Sequence, residues 1–124
     1  MNPLRKLFKK VKSVFTWELI NGQDELKIKV NYISNLTNSQ IEISQRILGL
    51  HYSELYKTAP QNLPHLNDTG FRVHSQFDED GQLLYIFSVI GAKTKKCVEI
   101  GTSDGRECNT SNLIIYHGWM GLLV

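Results

Sequence analysis

The residues whose types and spacing point to ligand chemistry lie late in the chain, in Cys97-Val98-Glu99-Ile100-Gly101-Thr102-Ser103-Asp104-Gly105. A short apolar strand here runs into a turn bounded by two glycines. Gly101 permits a tight turn and close approach of a ligand to the backbone. Gly105 lets the next helix start close by. The exposed backbone N–H groups of such a turn suit a carboxylate or a phosphate. Glu99, at the carboxyl end of the strand, can accept hydrogen bonds from a cationic or hydroxyl-bearing ligand. A bare structural turn between strand and helix is the plain alternative. A nicotinamide fingerprint, G-x-G-x-x-G, fails twice, at Ser103 and at Arg106.

Other reactive side chains fit ordinary roles. Asp78, Glu79 and Asp80 fall in the first turn of a helix, where acids favour the dipole; a ligand role is the competing reading. Cys97 and Cys108 read as small core residues, and two cysteines make at most one disulfide. His51, His65 and His74 lack ligand spacing, so no metal site is expected. Trp119 reads as packing.

The elements that must hold this turn follow from periodicity. Asn2-Pro3 is a helix start. Leu4, Leu7, Phe8, Val11, Val14 and Phe15 then recur at helical spacing, with lysines between them, and Asn21-Gly22 is the expected end. Leu26, Ile28, Val30 and Tyr32 alternate with Lys27, Lys29 and Asn31, which predicts a strand with one wet face. Residues 35–39 read as a turn, 39–57 as a helix, and 59–70, with Pro60, Pro64 and Gly70, as a loop. Ser75 to Asp78 is a capping-box variant. It leads into a helix buried through Leu83, Leu84, Phe87 and Ile90 and ended by Gly91. Residues 97–100 form a strand, 107–117 a helix with Gly118 at its C-cap, and 120–124 a second apolar strand. The last three make one βαβ unit. The expected fold class is α/β, with residues 1–69 a mainly helical extension and 70–124 the start of an α/β domain that stops after its second strand.

The 124 residues fit one domain and are globular in composition, 41% hydrophobic and 21% charged. The net charge of +2 is uneven. Arg5, Lys6, Lys9, Lys10 and Lys12 stand in an acid-free N-terminal stretch, while the rest carries nine bases against twelve acids. A net-acidic body gives no argument for nucleic-acid binding. The apolar runs are too short for a membrane span, and the N-terminus has no signal-peptide h-region; the cytoplasm is the expected compartment. For the basic amphipathic helix, packing of its apolar face onto the rest of the protein is the expectation. Lying on an anionic membrane surface, as a non-catalytic binding module, is the alternative, and an unstructured basic tail the third.

The turn matches the acidic-x-Gly-x-x-x-Gly signature of class I S-adenosylmethionine-dependent methyltransferases. Its neighbours narrow the match. The segments Ser75-Gln76-Phe77-Asp78-Glu79-Asp80-Gly81, Glu99 to Gly105, Glu107-Cys108-Asn109-Thr110 and Gly118-Trp119-Met120-Gly121-Leu122 occur in that order at close spacing. Residues 70–124 thus resemble the FkbM-like methyltransferases. The resemblance implies a Rossmann-like methyltransferase domain, here only its first βαβ unit. It implies S-adenosylmethionine as cofactor, with Glu99, Gly101, Thr102, Ser103 and Gly105 facing the cofactor's amino-acid part and Glu99 near its ammonium. The acceptor would be an oxygen nucleophile on a sugar or secondary metabolite, a small molecule or glycan. A doubly wound sheet needs about five or six parallel strands, and only two stand in this region. The chain therefore reads as an N-terminal fragment of such an enzyme, itself inactive and poorly stable, with no residue to name as catalytic.

Overall fold

The structure, a computed structural model, describes residues 3–102, 105 and 107–124. Helix α1 runs Pro3–Thr58, helix α2 Glu79–Ile90, strand β1 Lys96–Glu99, helix α3 Ser111–His117 and strand β2 Met120–Leu123. Two 3₁₀ turns, Pro60–Asn62 and Leu66–Asp68, fill the stretch between α1 and α2. The chain divides into two compact units, Met1–Ile41 and Glu42–Val124.

The first unit is helix throughout its described length. The strand expected at Leu26–Tyr32 is absent there, as are the helix end at Asn21-Gly22 and the turn at residues 35–39. The physical reason is hydrogen-bond supply. A lone strand leaves its N–H and C=O groups unpaired, whereas a helix satisfies its own. The alternating residues also fit the helical period, since Leu26, Val30 and Ile33 recur at spacings of four and three. Glu25 and Lys29, four apart, form a 2.6 Å ion pair that only a helix allows. The polar residues read as a turn bond backwards instead: Thr37 Oγ1 donates to the Ile33 carbonyl and Ser39 Oγ to that of Asn35. Gly22 costs the helix about 1 kcal/mol relative to Ala, too little to stop a helix already nucleated on both sides. The apolar face of the basic segment, Leu7, Phe8, Val11, Val14 and Phe15, is exposed along the helix. Asn2 lies outside the described residues.

The second unit holds the core. Helix α1 stops where Pro60 forces the preceding Ala59 out of helical geometry, to φ −151° and ψ 62°. The buried apolar residues are Tyr52, Leu84, Cys108, Leu113 and Tyr116. Tyr52 and Tyr85 meet edge to face at 4.9 Å, and the Tyr85 hydroxyl donates to the Pro64 carbonyl at 3.0 Å. Trp119 packs on Phe87 at 4.5 Å, as expected of a packing residue. Strands β1 and β2 pair in parallel, from Lys96 opposite Met120 to Glu99 opposite Leu123. Helix α3 is the crossover between them, so the expected βαβ unit forms. Gly91 ends α2 and Gly118 ends α3, both at positive φ.

The start of α2 differs from expectation. Asp78 is the N-cap but its side chain caps nothing. The reciprocal bonding runs two residues further on: Ser75 N–H donates to Asp80 Oδ2 at 2.8 Å, and Asp80 N–H to Ser75 Oγ at 3.2 Å. Val73 and His74 N–H groups donate to the same Asp80 oxygen, at 2.7 and 2.6 Å. Asp80 is fully buried. One carboxylate thus gathers three consecutive backbone donors and folds the chain before α2 back over that helix. Gly81 follows because the returning chain touches it. A Cβ there would overlap the Thr69 carbonyl oxygen and the Phe71 nitrogen. We expect Gly81→Ala to cost about 1–3 kcal/mol or more through this overlap. Gly22→Ala, whose Cβ meets nothing within 4 Å, should leave the melt unchanged or raise helicity. Far-UV dichroism melts check both, and an unshifted Gly81→Ala melt would refute the close approach.

Candidate functional site

The site expected at residues 99–105 lies at the carboxyl end of β1, between that strand and α3. In parallel sheets this is the end at which ligands bind. Gly101 and Gly105 take φ values of 84° and 77°, in the left-handed region that favours glycine. Added Cβ atoms would meet nothing within 4 Å at Gly101 and only Leu123 Cδ1, at 3.9 Å, at Gly105. What requires glycine here is the backbone angle, not crowding. Ser103 and Arg106 lie outside the described residues.

The turn's donors are partly committed. Gly101 and Thr102 N–H groups both donate to the main-chain oxygen of Val124, at 2.6 and 3.1 Å, and Val124 N–H donates to Glu99 O at 2.9 Å. The parallel ladder therefore continues past the assigned strands. These two N–H groups face β2, which corrects the expectation that the turn presents them to a ligand. Gly105 N–H closes the turn on the Thr102 carbonyl at 2.8 Å.

Glu99 fastens the turn to α3. Its Oε1 accepts from Asn109 N–H at 2.9 Å, and its Oε2 from Thr110 N–H at 2.9 Å and Thr110 Oγ1 at 2.7 Å. The N-cap residue Thr110 makes no side-chain cap of its own, so the strand's carboxylate serves the helix start. Partial burial pushes the Glu99 carboxyl up, but the Thr110 hydroxyl and the Thr110 and Asn109 N–H groups outweigh it. The net shift is downward from the ordinary 4.5. A carboxylate has about four acceptor sites; among the described residues three are used, which leaves one for a further donor.

A second polar group runs along α3, from Asn112 near its start to His117 at its end. Gln45 and Asn112 exchange both amide bonds, at 3.0 and 2.8 Å, and both are buried. His117 Nε2 lies 2.6 Å from the same Gln45 oxygen. An amide oxygen only accepts, so the imidazole donates from Nε2. Burial first, then the charges of Lys95 and Arg46, hold the His117 pKa below 6.5 against the opposing Glu42. Lys95 Nζ donates to the His117 carbonyl at 3.0 Å, at the helix end where a cation is favoured. Lys95 thus supplies the cation at this helix end, and His117 does not. Beside this network Leu84, Phe87, Ser88, Ala92, Lys95, Leu113, His117 and Trp119 line a 160 Å³ cleft. None of these lining residues belongs to the Glu99 turn.

Sequence reasoning missed the Gln45 network. Its one signal was a glutamine in the 4-3-4 apolar series Ile41, Gln45, Leu48, Tyr52, a polar residue on a core-facing stripe. Both cysteines are free, Cys108 buried with its thiol toward the Thr102 carbonyl at 3.8 Å. Among the described residues no group of three or more His, Cys, Asp or Glu is placed to hold a metal ion, and no helix is long and apolar enough to cross a membrane. Comparison of the chain with protein-family models, curated proteins and solved structures finds no match.

Two pH steps follow. The folded pKa of His117 lies below its unfolded value, so the unfolded state takes up the proton first as pH falls. Stability is full above pH 6.5 and is lost as pH drops below it. Glu99, also lowered, contributes stability above pH 4.5 that is lost below it. Denaturant melts across about pH 2.5 to 8 should show the first step disappear in His117→Gln and the second in Glu99→Gln. An unchanged first step in His117→Gln would refute the neutral imidazole.

Proposed function

We propose that residues 70–124 are the first βαβ unit of a Rossmann-like, FkbM-like methyltransferase domain that binds S-adenosylmethionine. The carrying observation is the parallel β1–α3–β2 unit with Glu99, Gly101 and Gly105 together at the carboxyl end of β1. The fit is to the amino-acid end of the cofactor. Among the described residues Glu99 keeps one acceptor site for an ammonium group, and the left-handed angles of Gly101 and Gly105 shape the turn beside it. The ribose and adenine find no residues here. When bound, the cofactor supplies a methyl group on a cationic sulfur. This chain's own residues bind and orient: Glu99 fixes the helix start and the turn at once.

The exposed sheet supports the same reading. Val98, Ile100, Met120, Leu122 and Val124 are apolar and 60 to 83% exposed, whereas parallel strands are ordinarily covered on both faces. We read β1 and β2 as part of a wider sheet in the full-length parent, which would methylate a hydroxyl of a sugar or secondary metabolite. Methyl transfer needs chiefly alignment of the nucleophile with the methyl carbon and sulfur.

Residues 1–124 alone are expected to transfer no methyl group from labelled S-adenosylmethionine to hydroxylated acceptors. In a chain continued past Val124, calorimetry should show cofactor binding. Gly101→Val should weaken it about tenfold or more, through the φ strain of roughly 1–3 kcal/mol that a β-branched residue meets there. Equal affinity with and without the substitution would overturn the assignment of this turn.

A further inference from the structure

The first turns of α1 carry an unpartnered apolar face with charge on both of its borders. Leu7, Phe8, Val11, Val14 and Phe15 share one side of the helix, and each is exposed, from 49% at Val14 to 77% at Phe8. Lys10 and Lys12, the neighbours of Val11, lie about 100° to either side of it. Arg5, Lys6 and Lys9 fill the opposite side, and no acid occurs before Glu18.

Two occupants could cover such a face. A second copy pairing through this segment would set Lys10 and Lys12 beside their own counterparts. With no acid in the segment to answer them, the flanking positions repel. An anionic lipid surface answers both features. Its acyl boundary takes the apolar side, and its headgroups take the lysines on the borders. The helix lies in the plane of such a surface, since no described helix is long and apolar enough to cross one. We propose that residues 3–17 form an in-plane helix that binds anionic bilayers. This binding is independent of the methyltransferase reading and survives its failure.

Flotation of the 124-residue protein with vesicles tests it. Vesicles of phosphatidylcholine alone are compared with vesicles carrying about 30% phosphatidylserine, whose surface attracts basic segments. Binding is expected to the anionic vesicles alone, falling about tenfold between roughly 0.05 and 0.5 M salt as the charges are screened. Lys10→Glu with Lys12→Glu should lose at least about tenfold. Val11→Asp, which keeps four of the five bases unopposed and breaks the apolar face, should lose as much. Both variants sit on exposed helix, so dichroism without vesicles should match the parent protein. Three outcomes overturn the proposal: equal binding to neutral vesicles, full binding by Val11→Asp, or no vesicle binding. Self-association abolished by Val11→Asp, with vesicle binding absent, would assign the face to a second copy instead.

Discussion

The reciprocal amide pair between Gln45 and Asn112 is the interaction on which the second unit depends. A two-stranded parallel sheet is a weak structure by itself, and its strands are joined only through the crossover helix. That helix, α3, has seven residues, too short to be stable by its own hydrogen bonds. It is held by Leu113 and Tyr116 in the core and by Asn112, which is completely buried. Removing either amide would leave at least one buried polar atom of its partner without that bond, at about 1–3 kcal/mol. Because the Gln45 side-chain oxygen also accepts from His117 Nε2, one side chain of α1 fixes both the second residue of α3 and its last one.

With α3 so placed, the turn at residues 99–105 has little freedom left. Glu99 closes onto the start of α3, and Gly101 and Thr102 close onto β2. Asp80 does for the other end of the unit what Glu99 does here, since each carboxylate collects backbone donors that no helix or strand supplies. The two differ in exposure. Asp80 is sealed in, so its three bonds are purely architectural. Among the described residues Asp80 Oδ1 has no partner but is closed off from solvent, whereas Glu99 is only partly buried and keeps an acceptor site that a ligand can reach.

What was legible in the sequence follows this division. Helix α2, both strands, α3 and their glycine ends were readable because each boundary has a local chemical cause: Gly91, Gly101 and Gly118 must take angles that other residues resist. The turn's residue types were readable too, but not the direction of its N–H groups. That direction depends on the register of β2, a strand more than twenty residues away. Gln45 was illegible for the same reason, since its partner lies 67 positions on. Residues 21–39 misled in another way. Alternation and helical spacing coexist there, and period alone cannot choose when neither face is buried. Backbone hydrogen-bond supply decides it.

The two parts of α1 are consequently stabilised by different means. From Glu42 onward the helix contributes Gln45 and Tyr52 to a core, and packing makes it cooperative with the rest of its unit. In residues 5–40 every described side chain is exposed. There the helix rests on its own hydrogen bonds and a few neighbouring pairs such as Glu25–Lys29, each contributing only about 0.2–0.5 kcal/mol. Asn21, Gly22, Asn31 and Thr37 all lower its propensity. A helix of this composition gains most from an external surface that takes its apolar side. Any ligand that binds the helical form alone stabilises it by mass action. Helicity and surface binding in this segment are therefore one equilibrium, and the lysines bordering Val11 determine which surfaces can drive it.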